Sequence, residues 1–125
     1  MDNHSIVGDK SKSFALKIIK LYKYMSTNRN EYVLSKQILR SGTSIGANVA
    51  EALAGISERD YYAKMYIAFK ESQGTKYWLE LLFESEYINK EQFDYLYSDC
   101  LEIVKMLSSI TKTARSKLSK PTSNS

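Results

Sequence analysis

Residues 90–118, KEQFDYLYSDCLEIVKMLSSITKTARSKL, carry the pattern that decides the fold. Apolar side chains recur in this stretch at alternating intervals of three and four residues: Phe93, Leu96, Cys100, Ile103, Leu107, Ile110 and Ala114. A repeat near 3.5 residues places them along one side of a helix, as in helices that cross at about 20°. The stretch therefore predicts a long amphipathic helix that buries one face in a helical bundle.

Three segments upstream show the same kind of periodicity. Segment 10–26 has an apolar stripe at Phe14, Ile18, Leu21 and Met25. Segment 32–54 has its stripe at Leu34, Ile38, Ile45, Val49 and Leu53, with Ser41 and Gly42 filling the gap. Segment 58–85 has its stripe at Tyr61, Met65, Ala68, Ser72, Leu79, Leu82 and Phe83.

Short polar connections separate these segments at residues 28–30, 55–57 and 86–89. Gly55 is expected to be a helix C-cap, and Ser57 with Asp60 resembles a capping box at the next helix start. Helices joined by short turns run antiparallel in chain order. The sequence predicts an all-α, antiparallel up-down-up-down four-helix bundle over residues 10–118, with flexible tails at residues 1–9 and 119–125.

Two glycines lie inside the second segment, at Gly42 and Gly46. Each costs a helix about 1 kcal/mol relative to alanine. Their presence indicates that another backbone passes unusually close. The alternative is a helix that breaks near residues 41–44.

The composition argues against an enzyme. Cys100 is the only cysteine and His4 the only histidine, and His4 lies in a polar N-terminal stretch. No Ser/His/Asp set, cysteine cluster or glycine-rich phosphate loop is present. We interpret Cys100 as a small buried residue and expect no metal, cofactor or small-molecule substrate. The lack of a signal-peptide pattern and of a long apolar run predicts a cytoplasmic protein with no membrane partner.

Charge is distributed unevenly along the chain. Residues 84–104 hold one lysine and six acids, whereas residues 105–125 hold five basic residues and no acid. In an antiparallel bundle the first helix start, the second turn and the last helix end share one pole. We expect a basic pole there, formed by Lys10, Lys12, Arg59, Lys64, Lys112, Arg115 and Lys117. Such a pole suits a phosphate backbone, but it is equally compatible with charge that favours the helix dipole and solubility.

A polar stripe on the second helix comprises Arg40, Ser44, Asn48 and Glu51. On the third helix Glu71 lies on a largely apolar flank near Thr75, so its carboxylate needs a partner. We expect Arg40 or Asn48 to supply it. The set could be catalytic, metal-binding or structural. A bundle metal site would need inward Glu-x-x-His pairs, which are absent, so the structural interpretation is favoured.

Ten tyrosines are an unusual number for 125 residues. The third helix carries four aromatic residues beyond its core stripe, namely Tyr62, Tyr66, Phe69 and Tyr77. Aromatic side chains are enriched at protein interfaces and also stack on unpaired bases. We expect this face to bind another copy of the chain first, and another partner second.

Residues 34–82 closely resemble the bacterial four-helix bundle proteins encoded in 23S rRNA intervening sequences. The most specific pieces are the run RSGTSIGAN at residues 40–48, Glu51–Ala52, Lys70–Glu71 and Thr75 with Tyr77–Trp78–Leu79. The resemblance carries over Arg40, Ser44, Asn48, Glu51, Glu71 and Thr75 as family positions. Gly74 departs from it, because many members of the family carry a glutamate at this position.

The family is similar in fold to the accessory protein of diversity-generating retroelements, a basic pentamer that works with nucleic acid. The resemblance therefore implies a homo-oligomer, a pentamer by that likeness, and binding of RNA or DNA, with no catalytic activity. We accordingly predict a non-enzymatic homo-oligomer that associates with nucleic acid through its basic pole. The alternative is an oligomeric scaffold or protein-interaction module that binds no nucleic acid.

Overall fold

Four α-helices make up the protein, whose computed structural model describes residues 5–120. The helices are α1 (Ile6–Asn28), α2 (Val33–Leu53), α3 (Glu58–Glu84) and α4 (Lys90–Ser119). Within residues 5–120 no residue is in a strand. The predicted all-α four-helix bundle is confirmed.

The helix boundaries agree with the periodicity except at the start of α1. That helix begins at Ile6, not near residue 10, because the Ser5 hydroxyl accepts a hydrogen bond from the Gly8 amide at 2.9 Å and caps it. Residues 6–9 of the predicted N-terminal tail are therefore helical. The rest of that tail at residues 1–4, and residues 121–125 of the C-terminal tail, lie outside the described residues. At the second turn the C-cap is Ala54, one residue before the predicted Gly55.

The direction of the helices follows from the contacts between them. Lys10 Nζ lies 2.7 Å from Glu102 Oε1, and Lys17 Nζ lies 2.6 Å from Asp99 Oδ2, so α1 and α4 run in opposite directions. The helices α2 and α3 are antiparallel as well, because Arg40 pairs with Glu71 and the later residue Glu51 pairs with the earlier residue Lys64. In the same way, Ser72 contacts Cys100 and Glu80 contacts Tyr97, so α3 and α4 are antiparallel. In the described chain each helix packs on its two neighbours around a ring, and no Cα atoms of the diagonal pairs come within 8 Å of each other. These contacts fit the predicted up-down-up-down order.

The core contains most of the predicted apolar stripes. The buried members are Phe14, Ile18, Leu21, Met25, Ile38, Ile45, Val49, Met65, Ala68, Leu79, Leu82, Leu96, Cys100, Ile103, Leu107 and Ala114. One member is misplaced: Leu53 is 50% exposed, and Ala52 is buried in its stead. The partly buried members are Leu34, Tyr61, Phe83, Phe93 and Ile110.

The backbones of α1 and α2 approach each other closely where the two glycines lie. A Cβ atom on Gly42 would lie 2.9 Å from Ile18 Cγ1, and one on Gly46 would lie 3.4 Å from the backbone oxygen of Ser11. Because α2 is continuous from Val33 to Leu53, the alternative of a helix broken near residues 41–44 is wrong. At Gly46 the close neighbour includes the α1 backbone, as predicted, whereas at Gly42 it is the side chain of Ile18.

A buried carboxylate caps the start of α2, and the periodicity did not indicate it. Glu31 is 9% exposed and accepts hydrogen bonds from the amides of Val33 at 3.1 Å, Leu34 at 2.9 Å and Ser35 at 2.8 Å. These amides have no partner inside the helix, and a negative charge near them is favoured by the helix dipole. Glu31 therefore fixes the point at which α2 begins.

Alanine substitutions at Gly42 and Gly74 form a matched pair. We expect Gly42→Ala to lower the free energy of unfolding by about 1–3 kcal/mol, because the new methyl group would overlap Ile18 in the core. A Cβ on Gly74 would meet nothing within 4 Å. Gly74→Ala should therefore raise the free energy of unfolding by up to about 1 kcal/mol. Urea unfolding followed by circular dichroism measures both, and an unchanged or raised free energy of unfolding for Gly42→Ala would contradict the close approach of α1 to α2.

Candidate functional site

The basic residues predicted to share one pole are brought together only in part. Arg59 in the first turn of α3 and Lys117 in the last turn of α4 lie at the same end of the bundle. Glu58 and Lys117 line one pocket there, of about 240 Å³, with Tyr61 and Ile110. Lys112 lines a different groove, between α3 and α4.

Two of the predicted pole residues are engaged in ion pairs. Lys10 pairs with Glu102, near the middle of α4 rather than at its C-terminal end. Lys64 Nζ lies 2.9 Å from Glu51 Oε1, and this hydrogen bond raises the pKa of Lys64 above its usual value. Their charges are therefore balanced within the chain.

The remaining basic residues of this end have no such partner. Among residues 5–120, no ion pair involves Lys12, Arg59, Lys112, Arg115, Lys117 or Lys120. All six side chains are exposed. At this end of the bundle, most of the positive charge without an ion-pair partner therefore lies in the last three turns of α4 and at its C-cap, Lys120.

Acidic side chains also lie at this end of the bundle. Glu58 and Asp60 are in the first turn of α3, where the helix dipole favours negative charge. Asp9 is in the first turns of α1. The end is thus less uniformly basic than the segment charges indicate, and its basic part is the C-terminal third of α4.

Arg40 and Glu71 meet across the α2–α3 seam, as predicted. The guanidinium donates two hydrogen bonds to the carboxylate, at 3.1 Å and 3.3 Å. The Arg40 side chain is 60% exposed and that of Glu71 is 22% exposed. Both groups are therefore satisfied by each other at the rim of the seam rather than inside a cavity.

The other members of the predicted polar stripe do not all join this pair. The hydroxyl of Ser44 donates to the carbonyl of Arg40 at 2.6 Å, and the amide of Asn48 donates to the carbonyl of Ser44 at 2.9 Å. Both are bonds within α2. Glu51 instead pairs with Lys64. The stripe is thus a line of local hydrogen bonds with one ion pair at each end.

Thr75 belongs to a buried hydroxyl pair. Its Oγ1 lies 2.9 Å from Ser41 Oγ and 2.8 Å from the carbonyl oxygen of Glu71. Each hydroxyl has one proton, so when Thr75 donates to Glu71, Ser41 donates to Thr75. The pair links α2 to α3 inside the core and supports the structural interpretation of this set.

No arrangement for catalysis or metal binding emerges from the described part of the chain. Burial raises the pKa of the Cys100 thiol to about 12, so at neutral pH it is protonated and a poor nucleophile. The prediction that Cys100 is a small buried residue is confirmed. Residues 5–120 contain no group of three or more His, Cys, Asp or Glu side chains that could hold a metal ion. His4 lies outside them.

A carboxylate at the α3–α4 seam, Glu80, is paired within the chain. Tyr97 donates a hydrogen bond of 2.5 Å to Glu80, and Lys76 Nζ lies 3.1 Å from the same carboxylate. The bond from Tyr97 lowers the pKa of Glu80 and raises the pKa of Tyr97. This cluster joins α3 to α4 and leaves no free carboxylate at Glu80.

The aromatic face of α3 consists of two separate groups. Tyr62, Tyr66 and Phe69 form a row along the helix, with ring centroids 5.8 Å and 6.3 Å apart. Tyr77 packs on Trp78 instead, at 5.7 Å. Tyr66 and Tyr77 are 42% and 56% exposed, so both groups reach the surface.

Two basic residues near the aromatic row were not among the predicted site residues. Lys70 Nζ lies 5.9 Å from the Tyr66 ring, and Lys105 lines the α3–α4 groove together with Phe69 and Lys112. The sequence could have indicated the second of them, because Lys105 and Lys112 are seven residues apart on a helix and so share a face.

No helix among the described residues is both long and apolar enough to cross a membrane.

Comparison with known proteins identifies one family. The family model described as 23S rRNA-intervening sequence protein matches residues 3–109. The crystal structure of a protein of unknown function from Bacteroides thetaiotaomicron VPI-5482, assigned to an S23 ribosomal protein family, is 51% identical to this chain. The two superpose with a TM-score of 0.84, over 86% of this chain and 99% of that one. Comparison with curated proteins found no match.

Variants of the α2–α3 seam separate its buried from its exposed contacts. We expect Thr75→Val to lower the free energy of unfolding by about 1–2 kcal/mol, because it leaves the buried Ser41 hydroxyl without its best partner. Arg40→Ala should cost less than about 1 kcal/mol, since that ion pair is largely exposed. Chemical unfolding of both variants measures the difference. A larger loss for Arg40→Ala would show that the ion pair, not the hydroxyl pair, holds the seam.

Proposed function

The chain belongs to the family of 23S rRNA-intervening sequence proteins, and we propose that it is a non-enzymatic, homo-oligomeric bundle that binds nucleic acid, RNA first, through the basic end of α4. The family description connects these proteins to an rRNA segment. The unneutralised basic side chains of α4 are the groups of this chain that would contact the phosphates of such an RNA. The cytoplasm is the compartment in which such a protein would meet RNA.

One observation carries the proposal: the last turns of α4 hold basic side chains that no acid of the described chain neutralises. Lys112, Arg115 and Lys117 are exposed and form no ion pair within residues 5–120. No acid occurs after Glu102. Each phosphate that such a side chain neutralises releases condensed counterions, which favours binding.

Self-association is supported by the aromatic residues of α3. Exposed tyrosines such as Tyr66 and Tyr77 are common at interfaces, because each supplies a large contact area for few rotatable bonds. The number of subunits, five, comes from the family resemblance alone. A scaffold or protein-interaction module without nucleic-acid binding is the second candidate, and these same tyrosines favour it.

The absence of an enzymatic role is part of the proposal. Arg40 and Glu71 bond to each other, the Cys100 thiol is protonated, and Glu80 is held by Tyr97 and Lys76. The polar stripe, Glu71 and Thr75 line none of the described pockets. No cofactor or small-molecule substrate is therefore proposed.

A salt series with charge variants tests nucleic-acid binding. The affinity of the purified protein for mixed-sequence RNA should fall steeply as salt rises, because each phosphate contact contributes about −0.7 to −0.9 to the logarithmic slope. The variant Lys112→Ala/Arg115→Ala/Lys117→Ala should weaken binding and reduce the slope by about 2. Fluorescence anisotropy measures the affinity, and light scattering in the same buffers measures the solution mass.

The matched control removes three exposed lysines elsewhere, in Lys20→Ala/Lys23→Ala/Lys36→Ala. None of the three forms an ion pair in the described chain. Equal weakening by both variants would show that only total charge matters and would remove the basic end of α4 from the proposal. A folded multimer that binds no RNA at low salt would favour the scaffold.

A further inference from the structure

A groove of about 410 Å³ opens between α3 and α4. Phe69 and Val104 give it apolar walls, and Gln73 and Ser108 add polar groups. The α4 side carries Lys105 and Lys112, both exposed. The groove lies beside the aromatic row, because Phe69 belongs to both.

No acidic side chain of residues 5–120 lines this groove. Along α3, the only acid between Tyr61 and Leu79 is Glu71, and it points to the other side of the helix, where it pairs with Arg40. Along α4, no acid follows Glu102, and that residue pairs with Lys10 on α1. The lysines of the groove are therefore free to meet an anion.

The aromatic row and the lysines run side by side. Tyr62 and Phe69 are seven residues apart on α3, and Lys105 and Lys112 are seven residues apart on α4, a rise of about 10 Å in each case. Lys70 is placed at the row itself, with its Nζ 5.9 Å from the Tyr66 ring, near the outer limit of about 6 Å for a cation–π contact. Because this contact is weak, the Lys70 side chain can move away from the ring to pair with a bound phosphate.

We propose that this groove is a binding site for single-stranded nucleic acid. Unpaired bases stack on the row of Tyr62, Tyr66 and Phe69, and the phosphates between them meet the lysines of the groove. Stacking on aromatic side chains accepts any base, whereas in a duplex the base faces are covered by their neighbours. The inference rests on the proposed nucleic-acid binding and adds to it a second site and a preference for single strands.

The aromatic row distinguishes this occupant from other anions. An acidic peptide would satisfy the lysines but would leave the three ring faces unused. Free phosphate would need neither the rings nor the length of the groove. Repeated phosphates with a flat base between them match both features at once.

The test compares pairs of charge variants with the same loss of charge. The groove variant is Lys70→Ala/Lys105→Ala, which removes the lysine at the aromatic row and the groove lysine that lies outside the basic end of α4. The end variant is Arg115→Ala/Lys117→Ala, and the control is Lys20→Ala/Lys23→Ala. Each is titrated into a single strand of about 12 nucleotides and into a duplex of equal length, as both RNA and DNA. We expect the groove variant to weaken single-strand binding at least threefold more than the control does.

The aromatic contribution is tested with Tyr66→Leu, which keeps an apolar side chain on the helix. We expect its affinity for single strands to fall about tenfold, from the loss of one stacking contact, and its affinity for duplexes to stay within about twofold. Circular dichroism and solution mass should match those of the unchanged protein. Tyr77→Leu is the control, because Tyr77 packs on Trp78 and does not line the groove.

Each outcome is decisive. If the end variant weakens binding and the groove variant behaves like the control, the groove site is overturned and the proposed function stands. If the unchanged protein binds no nucleic acid at low salt, both are overturned. If Tyr66→Leu changes the solution mass and leaves single-strand affinity intact, the aromatic row is an interface between copies of the chain, and the groove site is again overturned.

Discussion

The backbone of α2 runs against the side chain of Ile18 at Gly42, and the arrangement of the other helices follows from that close seam. With α1 tight against α2, the far side of α1 meets α4 through long side chains, in the pairs of Lys10 with Glu102 and Lys17 with Asp99. These pairs use the acids in the first half of α4. The second half of α4 carries basic side chains only, because no acid follows Glu102 in the sequence.

The fold was predictable because long helices repeat their signal many times. The seam of α4 and the ends of α3 follow directly from spacing and from the Ser57 cap. Errors occurred at single positions, where one side chain decides the outcome. Ser5 extends α1 by capping it, Ala52 is buried in place of Leu53, and Glu31 caps α2 with a side chain that spacing does not mark.

The candidate site was less predictable, because it depends on register between helices. Spacing within one helix correctly brought Glu71 to the α2 side, where it meets Arg40. Spacing within one helix could not indicate that Lys10 and Lys64 would form ion pairs with acidic side chains of neighbouring helices. Nor could it join the aromatic row of α3 to the lysines of α4, since these are more than 30 residues apart in sequence. Family membership supports the fold, and the family's description mentions rRNA. The groove between α3 and α4, in contrast, is described from the surface of this chain alone.

Photo-crosslinking tests most directly the claim that the groove between α3 and α4 and the basic end of α4 bind nucleic acid. A single strand that carries a photoreactive base would be irradiated with the intact protein, and the crosslinked peptides would be identified by mass spectrometry. The account predicts crosslinks within residues 62–73 of α3 and 105–117 of α4. Crosslinks confined to α1 and α2, with none on α3 or α4, would contradict it.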